Sequence, residues 1–277
     1  MQFLMIVNDT EIARFVAKHG VDRLFVDLEW MGKDDRQKGL DTWKSRQLPA
    51  DVSRLREAVP DAHLLVRVNP PHEGTAAEVD DAVARGADSV MLPMIQTVDD
   101  VARFLDCLAG RAEAVPLIET KASLDALPRM VESLPLTRVH IGLNDLHLDM
   151  KLSFMFQPIA DGSLEVACAA MRAASVPFGI GGVARAREGI VSPEFLLGEH
   201  VRLGSDAAIL SRTFHRGAQT LQELQEIMDF EAEVSALRAI HERFIEADAA
   251  TLEENRALTR DRINDVVRLI EAKKEGS

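Results

Sequence analysis

Four short apolar runs in this sequence end in residues that can take part in chemistry. The runs and their ends are Val26-Asp27-Leu28-Glu29, Val66-Arg67-Val68-Asn69, Leu117-Ile118-Glu119-Thr120 and Ile141-Gly142-Leu143-Asn144-Asp145. Carboxylates act as bases and as ligands of hard cations, and a guanidinium offers a planar pair of donors to an oxyanion. The sequence therefore predicts a site that combines several acidic groups with one arginine.

Glu119 and Asp145 are the predicted metal ligands. We expect them at the ends of neighbouring strands, where two carboxylates repel each other unless they share a cation. Mg²⁺ is the expected ion and Mn²⁺ is an alternative, because two carboxylates leave most of an octahedral shell to water and substrate oxygens. The other possibility is that each carboxylate caps the next helix or pairs with Arg67 without a metal.

Arg67, Asp27, Glu29 and His147 are the predicted catalytic residues. Arg67 would bind a substrate carboxylate and an oxygen that gains negative charge, although it could also pair with Asp27 or Glu29. Those two carboxylates would order the waters of the metal or orient Arg67, and packing within the second strand is the alternative. His147 is the best available imidazole for proton transfer, with a histidine that has no catalytic part as the alternative.

Substrate-binding residues are expected in two loop regions and beside the metal site. Lys33 and Arg36 lie in the long connection from Trp30 to Pro49, where they would bind a phosphate or a second carboxylate, or merely belong to a solvated loop. The loops after strands seven and eight often form an anion site in barrels. The candidates there are Gly181, Gly182, Ser211 and Arg212, and Asn144 is a further candidate next to Asp145.

The elements that must position these residues are eight apolar runs, which predict eight strands. They are Phe3–Val7, Arg23–Asp27, His63–Val68, Asp88–Leu92, Ala114–Ile118, Arg138–Gly142, Pro177–Ile180 and Ala207–Leu210. Continuous apolar character is typical of strands buried on both faces of a parallel sheet. Helix-periodic segments separate the runs, and no glycine-rich dinucleotide motif follows the first one, so the sequence predicts an α/β protein with a (β/α)8 TIM barrel.

Residues beyond the last predicted strand indicate extra C-terminal helices. We assign residues 1–215 to the barrel and 216–277 to a helical extension of the same domain. The extension has more amphipathic helices than one barrel needs for cover. Part of it is therefore predicted to contact a neighbouring subunit in a homo-oligomer.

Composition narrows the classes of function. The 277 residues are 47% hydrophobic and 28% charged, with a formal net charge of −13. This excess of acid argues against a nucleic-acid-binding surface and favours small-molecule partners. No apolar run reaches the roughly 18 to 20 residues of a membrane helix. The sequence therefore predicts a cytoplasmic protein with no membrane partner, and Cys107 and Cys168 lack the spacing of a metal site or a disulfide framework.

Five motifs, in this order, resemble the HpcH/HpaI aldolase/citrate lyase family from about Phe3 to Leu210. They are Val26-Asp27-Leu28-Glu29, Leu65-Val66-Arg67-Val68, Gly86-Ala87-Asp88-Ser89-Val90-Met91-Leu92-Pro93-Met94, Ile118-Glu119-Thr120 and Ile141-Gly142-Leu143-Asn144-Asp145-Leu146. The resemblance implies a divalent metal, usually Mg²⁺, Mn²⁺ or Co²⁺, at Glu119 and Asp145, with pyruvate or a related 2-oxo acid chelating it. It also implies that Arg67 stabilises an enolate.

Two positions depart from the aldolases of that family. Trp30 stands where they have a histidine that assists the base, and an indole N–H can only donate. Leu117 stands where they have a glutamine.

We therefore expect a metal-dependent carbon–carbon lyase or aldolase acting on a 2-oxo acid, which could be phosphorylated or dicarboxylic. A citrate-lyase-like acyl-CoA lyase and a non-catalytic barrel that binds a metal and an acid metabolite are the alternatives.

Overall fold

The computed structural model describes residues 1–32 and 47–275 and contains a closed parallel barrel of eight strands. The strands are β1 Gln2–Ile6, β2 Arg23–Asp27, β3 His63–Arg67, β4 Ser89–Leu92, β5 Glu113–Ile118, β6 Val139–Ile141, β7 Phe178–Val183 and β8 Ala207–Leu210. Each strand pairs with the next in the sequence, and β8 closes on β1. The predicted (β/α)8 barrel with C-terminal helices is confirmed.

Helices separate the strands and continue beyond β8. They are Thr10–Lys18, Pro49–Ala58, Thr75–Ala84, Val98–Leu108, Lys121–Ser133, Leu143–Asp149, Gln157–Ala160, Glu165–Ala173, Pro193–Leu203, Arg212–His215, Leu221–Ile227, Phe230–Ile245 and Ala249–Glu275. The connection after β6 contains two of these short helices, Leu143–Asp149 and Gln157–Ala160. Asp9 caps the first helix, because its Oδ1 accepts the N–H groups of Glu11 and Ile12, both at 2.9 Å.

Two clusters of apolar side chains stabilise the barrel. The larger core lies between the strands and the surrounding helices, and a smaller one fills the barrel interior. The interior cluster consists of Leu4, Phe25, Leu65, Met91, Val115, Leu117 and Ala207. A filled interior leaves the carboxyl ends of the strands as the place where polar side chains converge.

The C-terminal helices pack on the barrel of their own chain. The helix Pro193–Leu203 contacts both Phe230–Ile245 and Ala249–Glu275. Asn255 Nδ2 donates to the carbonyl of Phe195 at 3.1 Å, and Arg238 donates to the carbonyls of Met1 and Gly20, each at 2.8 Å. The contact of this extension with a neighbouring subunit stays a prediction.

Within the described ranges, no helix combines enough length and apolar character to cross a membrane.

Three histidines are buried and hold their neutral form. Burial lowers the pKa of His140 to about 4, of His200 to about 3 and of His241 to about 4, from an ordinary value of 6.5. At a pH between the lowered pKa of each ring and 6.5, the unfolded chain therefore binds more protons than the folded protein. The stability that the neutral rings contribute is present above pH 6.5 and is lost as the pH falls toward 4.

We expect the free energy of unfolding to fall below pH 6.5 by up to about 1.4 kcal/mol per pH unit for each histidine. Denaturant titrations between pH 4.5 and 7 measure this slope. In the variant His200→Gln the free energy of unfolding should change less steeply with pH, by about the 1.4 kcal/mol per pH unit that one histidine contributes. Parallel pH curves for the variant and the wild type would contradict the assignment of His200.

Candidate active site

Arg67 is held at the carboxyl end of β3 by the acidic end of β2. The barrel register places Asp27 directly beside Arg67. Asp27 accepts two hydrogen bonds from the guanidinium, from Nε and from Nη2, both at 2.9 Å. Glu29 Oε2 lies 3.3 Å from the same Nε. The alternative that Arg67 pairs with these carboxylates is therefore present. Among the residues that the structure describes, only Nε and Nη2 have such partners, so Nη1 is the end of the guanidinium that can reach a substrate.

The charge of Arg67 is secured by these neighbours. Burial lowers its pKa, but Asp27, Glu29 and Glu119 raise it, and the net pKa lies above its usual range. Its guanidinium also lies 5.4 Å from the ring centroid of Phe25. A charged, oriented donor in a half-buried position is suited to stabilising an oxyanion.

Glu119 follows β5 directly and is 3% exposed. Its Oε1 accepts a hydrogen bond from the backbone N–H of Met94 at 2.9 Å. Met94 has a φ of 54°, an uncommon conformation for a residue with a side chain. Burial and the negative charge of Asp145 raise the pKa of Glu119 well above its usual range, while Arg67 lowers it.

Asp145 lies in the first turn of the helix Leu143–Asp149, which begins at Gly142 after β6. A Cβ atom on Gly142 would lie 3.0 Å from Glu119 Oε2, so the start of this helix packs against the carboxylate of Glu119. β5 and β6 are neighbours in the barrel, as predicted for the strands that carry the two acids.

These two carboxylates fit a divalent cation. Their repulsion, seen in the raised pKa of Glu119, is the imbalance that a shared cation relieves. Among the described residues, no three histidine, cysteine or acidic side chains surround one point. The protein would thus supply two oxygen ligands and leave the other positions to water and substrate.

Two amide side chains, the buried Asn69 and the half-buried Gln47, organise the site, and sequence reasoning missed both. Asn69 accepts the N–H groups of Trp30 and Met31, each at 2.9 Å, and so fixes the backbone that follows Glu29. Gln47 accepts the N–H of Asp27 at 2.9 Å and donates to the carbonyl of Val7 at 2.8 Å. Asn69 closes one of the quoted strand motifs, whereas no sequence signal marks Gln47.

His147 and Asn144 lie on the helix that carries Asp145. His147 Nδ1 is 3.3 Å from the carbonyl oxygen of Leu143, and burial lowers the pKa of the ring. Lys274 of the C-terminal helix lies close enough to act on this ring electrostatically. The catalytic role of His147 and the substrate-binding role of Asn144 stay predictions.

The four residues of the predicted anion cradle lie in different surroundings. Gly181 and Gly182 belong to β7, and a Cβ on Gly181 would lie 2.7 Å from Leu143 Cδ1. Ser211 Oγ is 2.7 Å from Thr213 Oγ1. Arg212 begins a short helix after β8 and lines a cleft. Lys33 and Arg36, the other predicted substrate-binding residues, lie outside the described residues.

The two positions that differ from the aldolases, Trp30 and Leu117, lie in different surroundings. Trp30 is 70% exposed beside the site, and Leu117 is buried in the barrel interior below Glu119.

Fold and site define a (β/α)8 barrel with paired acids and a clamped arginine at its carboxyl face. The family model described as HpcH/HpaI aldolase/citrate lyase matches residues 2–180. The chain belongs to this family, which indicates a lyase that acts on carbon–carbon bonds. A comparison with curated proteins gives no match.

Three solved structures are similar to this chain. An HpcH/HpaI aldolase/citrate lyase family protein from Burkholderia cenocepacia J2315 has 17% identity and a TM-score of 0.62, covering 82% of this chain and 94% of its own. An HpcH/HpaI aldolase from Desulfitobacterium hafniense DCB-2 has 18% identity and a TM-score of 0.54, covering 76% and 85%. RipC from Yersinia pestis has 13% identity and a TM-score of 0.57, covering 91% and 98%. At these identities the likeness concerns the fold.

Proposed function

We propose that this protein is a divalent-metal-dependent lyase or aldolase that breaks or forms a carbon–carbon bond next to a pyruvate-like 2-oxo acid. The observation that carries this proposal is the electrostatic interaction of the buried carboxylate of Glu119 with two half-buried groups, Asp145 and Arg67. Two carboxylates and one guanidinium at a barrel mouth are suited to a reaction in which an enolate forms.

Glu119 and Asp145 would hold the cation, most simply Mg²⁺, with Mn²⁺ or Co²⁺ as alternatives. When bound, such a cation supplies positive charge that polarises the oxygens of the 2-oxo acid. Arg67, oriented by Asp27, would direct Nη1 at the oxygen that becomes negative. Because the guanidinium is already clamped, it does not have to reorganise as this charge develops.

In the cleavage direction, the bond between C3 and C4 of a 4-hydroxy-2-oxo acid breaks and its electron pair forms the enolate of the 2-oxo acid. The hydroxyl on C4 loses its proton and becomes the carbonyl of the aldehyde product, and C3 later takes up a proton. Both oxygens of Asp27 are engaged by Arg67. We therefore assign Glu29, acting through a water molecule, to receive the hydroxyl proton, with His147 as a second candidate.

The remaining parts of the proposal are a small-molecule partner, a cytoplasmic location and a homo-oligomer. Nothing in the acidic composition favours a nucleic-acid partner. A second candidate function, a non-catalytic barrel that binds a metal and an acid metabolite, is favoured by one observation. At Trp30 and Leu117 the chain lacks the two polar side chains that its resemblance to aldolases led us to expect.

Solvent exchange of the methyl protons of pyruvate tests the proposal without knowledge of the acceptor. We expect exchange in D₂O, followed by NMR, that requires Mg²⁺ and stops when the metal is chelated. Metal-dependent decarboxylation of oxaloacetate is the parallel assay, because it passes through the same enolate. Metal binding without either activity would favour the non-catalytic barrel.

A further inference from the structure

A series of hydrogen bonds joins the helix Thr75–Ala84 to the backbone that follows β2. Asn69 Oδ1 accepts the N–H groups of Trp30 and Met31, each at 2.9 Å. The donors of the same residue go to Glu78, in the first turn of that helix. Glu78 Oε1 accepts a hydrogen bond from Asn69 Nδ2 at 2.8 Å, and Oε2 accepts one from the backbone N–H of Asn69 at 3.0 Å. Asn69, which is 3% exposed, is thus held on one side by a carboxylate and bound on the other to the chain after β2.

A carboxylate at position 78 matches the groups that Asn69 presents. The side-chain NH₂ and the backbone N–H are two donors, and an ionised carboxylate has two acceptor oxygens and no donor. If the side-chain amide of Asn69 rotated by half a turn, its oxygen would face the carboxylate. Its NH₂ group would then face the N–H groups of Trp30 and Met31, so donors would oppose donors. The carboxylate of Glu78 therefore selects the orientation in which Asn69 Oδ1 accepts both N–H groups.

His72 holds Glu78 from the connection between β3 and the helix. His72 Nδ1 accepts the N–H of Gly74 at 3.1 Å, so in the neutral ring Nε2 carries the proton. This Nε2 lies 3.2 Å from Glu78 Oε1. The backbone N–H of His72 donates to Thr75 Oγ1 at 2.9 Å, and a Cβ on Gly74 would lie 2.7 Å from His72 Cε1. The connection is therefore built to keep the ring beside the carboxylate.

The side chain that these contacts place is that of Glu29. Its Oε2 lies 3.3 Å from Arg67 Nε, and its N–H donates to Asp27 Oδ1 at 3.3 Å. The two N–H groups that Asn69 accepts belong to the next two residues of the chain. A change in the position of Asn69 therefore acts first on Glu29, which is 2% exposed, and not on the metal ligands that follow β5 and β6.

We infer that Glu78 is a positioning residue of the proposed reaction, because it orients Asn69 and thereby places Glu29 to receive the proton of the substrate hydroxyl. This inference rests on the proposed function and adds a residue to it. Glu78 acts through Asn69 and not on the reacting atoms.

Two reactions that share the enolate differ in their need for this proton acceptor. Cleavage of a 4-hydroxy-2-oxo acid requires that the hydroxyl on C4 loses its proton while the bond between C3 and C4 breaks. In oxaloacetate the bond between C3 and the departing carboxylate breaks, CO₂ leaves, and no hydroxyl proton has to be removed. Both reactions use the cation and Arg67. A variant that displaces only Glu29 should therefore slow the first reaction and spare the second.

Glu78→Gln tests this difference, because one amide oxygen cannot accept both donors of Asn69 and its NH₂ group opposes one of them. The two reactions are the cleavage of 4-hydroxy-2-oxopentanoate to pyruvate and acetaldehyde and the decarboxylation of oxaloacetate, both with Mg²⁺. We expect kcat for cleavage to fall by up to about 100-fold, as when a reacting group is displaced by about 1 Å. We expect kcat for decarboxylation to stay near the wild-type value. Both are measured on one sample, so unfolded protein lowers the two rates equally and cannot produce the difference.

A double variant distinguishes positioning from a general need for an acid at position 78. Asn69→Asp alone opposes two carboxylates and should also slow cleavage. Combined with Glu78→Gln, it exchanges the donor and the acceptor, because the amide at position 78 can donate to the carboxylate at position 69. We expect the double variant to cleave faster than either single variant. Glu73→Gln, at an exposed acid of the same connection, is the matched control and should leave both reactions unchanged.

The outcomes separate this inference from the proposed function. Equal losses in the two reactions, or wild-type cleavage by Glu78→Gln, overturn the inference and leave the proposed function standing. If the wild type catalyses neither reaction, the proposed function fails, and hydrogen exchange of the Trp30 and Met31 amides, followed by NMR, decides on the inference. Exchange that is about 10-fold faster in Glu78→Gln, as for one weakened hydrogen bond, supports the positioning of this segment. Unchanged exchange overturns it.

Discussion

Glu119→Gln should lower the affinity for Mg²⁺ by at least about 100-fold and turnover by about 1,000-fold, since a ligand and the polarising cation are lost together. The substitution keeps the shape of the side chain. The amide oxygen can still accept the N–H of Met94, which lies 2.9 Å from Glu119 Oε1. It removes the negative charge that repels Asp145. We therefore expect the metal-free variant to be at least as stable as the wild type.

Calorimetric titration with Mg²⁺ and exchange of the pyruvate methyl protons measure the two losses of Glu119→Gln. Asp125→Asn is the control, because Asp125 is an exposed acid on the next helix that pairs with Lys121. It should leave both measurements unchanged. A Glu119→Gln protein that keeps metal-dependent exchange would refute the assignment of Glu119 as a ligand.

The sequence was sufficient for the barrel because its strands are buried on both faces and appear as continuous apolar runs. β7 shows where this signal weakens. The apolar pattern ends at Ile180, whereas the strand continues to Val183. The glycines of this segment favour a turn by propensity. In the barrel Gly179 instead makes room for the ring of His140, because a Cβ on Gly179 would lie 2.3 Å from His140 Nδ1. The need for this space comes from His140 on the neighbouring strand β6, so it cannot be recognised from the sequence of β7 alone.

The residues of the site also differ in how far the sequence predicts them. The sequence predicts that Arg67, Glu119 and Asp145 share one site because each lies at or shortly after the end of a strand, and parallel strands bring their ends to one face. The partners that orient them were not found, because those contacts join distant segments. The backbone N–H of Met94 donates to Glu119. Met94 has a positive φ, and because this position is not a glycine, the residue type does not predict that conformation. Asn69 acts on a loop that is 38 and 39 residues away in the chain.

Arg67→Lys should lower kcat by about 100- to 1,000-fold while it leaves Mg²⁺ affinity within a few-fold of the wild type. The positive charge remains beside Asp27 and Glu29, so the buried carboxylates keep a partner. What the variant loses is the two-pronged contact with Asp27, at 2.9 Å from both Nε and Nη2, and with it the donor that Nη1 presents to substrate. A single ammonium group cannot both pair with Asp27 and reach the developing oxyanion in a fixed geometry.

Arg67→Ala separates this role of Arg67 from a purely structural one. It leaves two buried carboxylates without their cation, which costs about 3 to 5 kcal/mol of stability in such pairs. Denaturant titration measures that cost, and pyruvate exchange per folded molecule measures the chemistry. Arg85→Lys, at a half-exposed arginine outside the site that pairs with Asp81, is the matched control and should leave both unchanged. If Arg67 only supported the fold, Arg67→Lys would exchange pyruvate protons at the wild-type rate, because it keeps the charge that stabilises Asp27 and Glu29. A large loss of exchange in a stable Arg67→Lys protein that still binds Mg²⁺ would instead place the guanidinium at the oxygen that becomes negative.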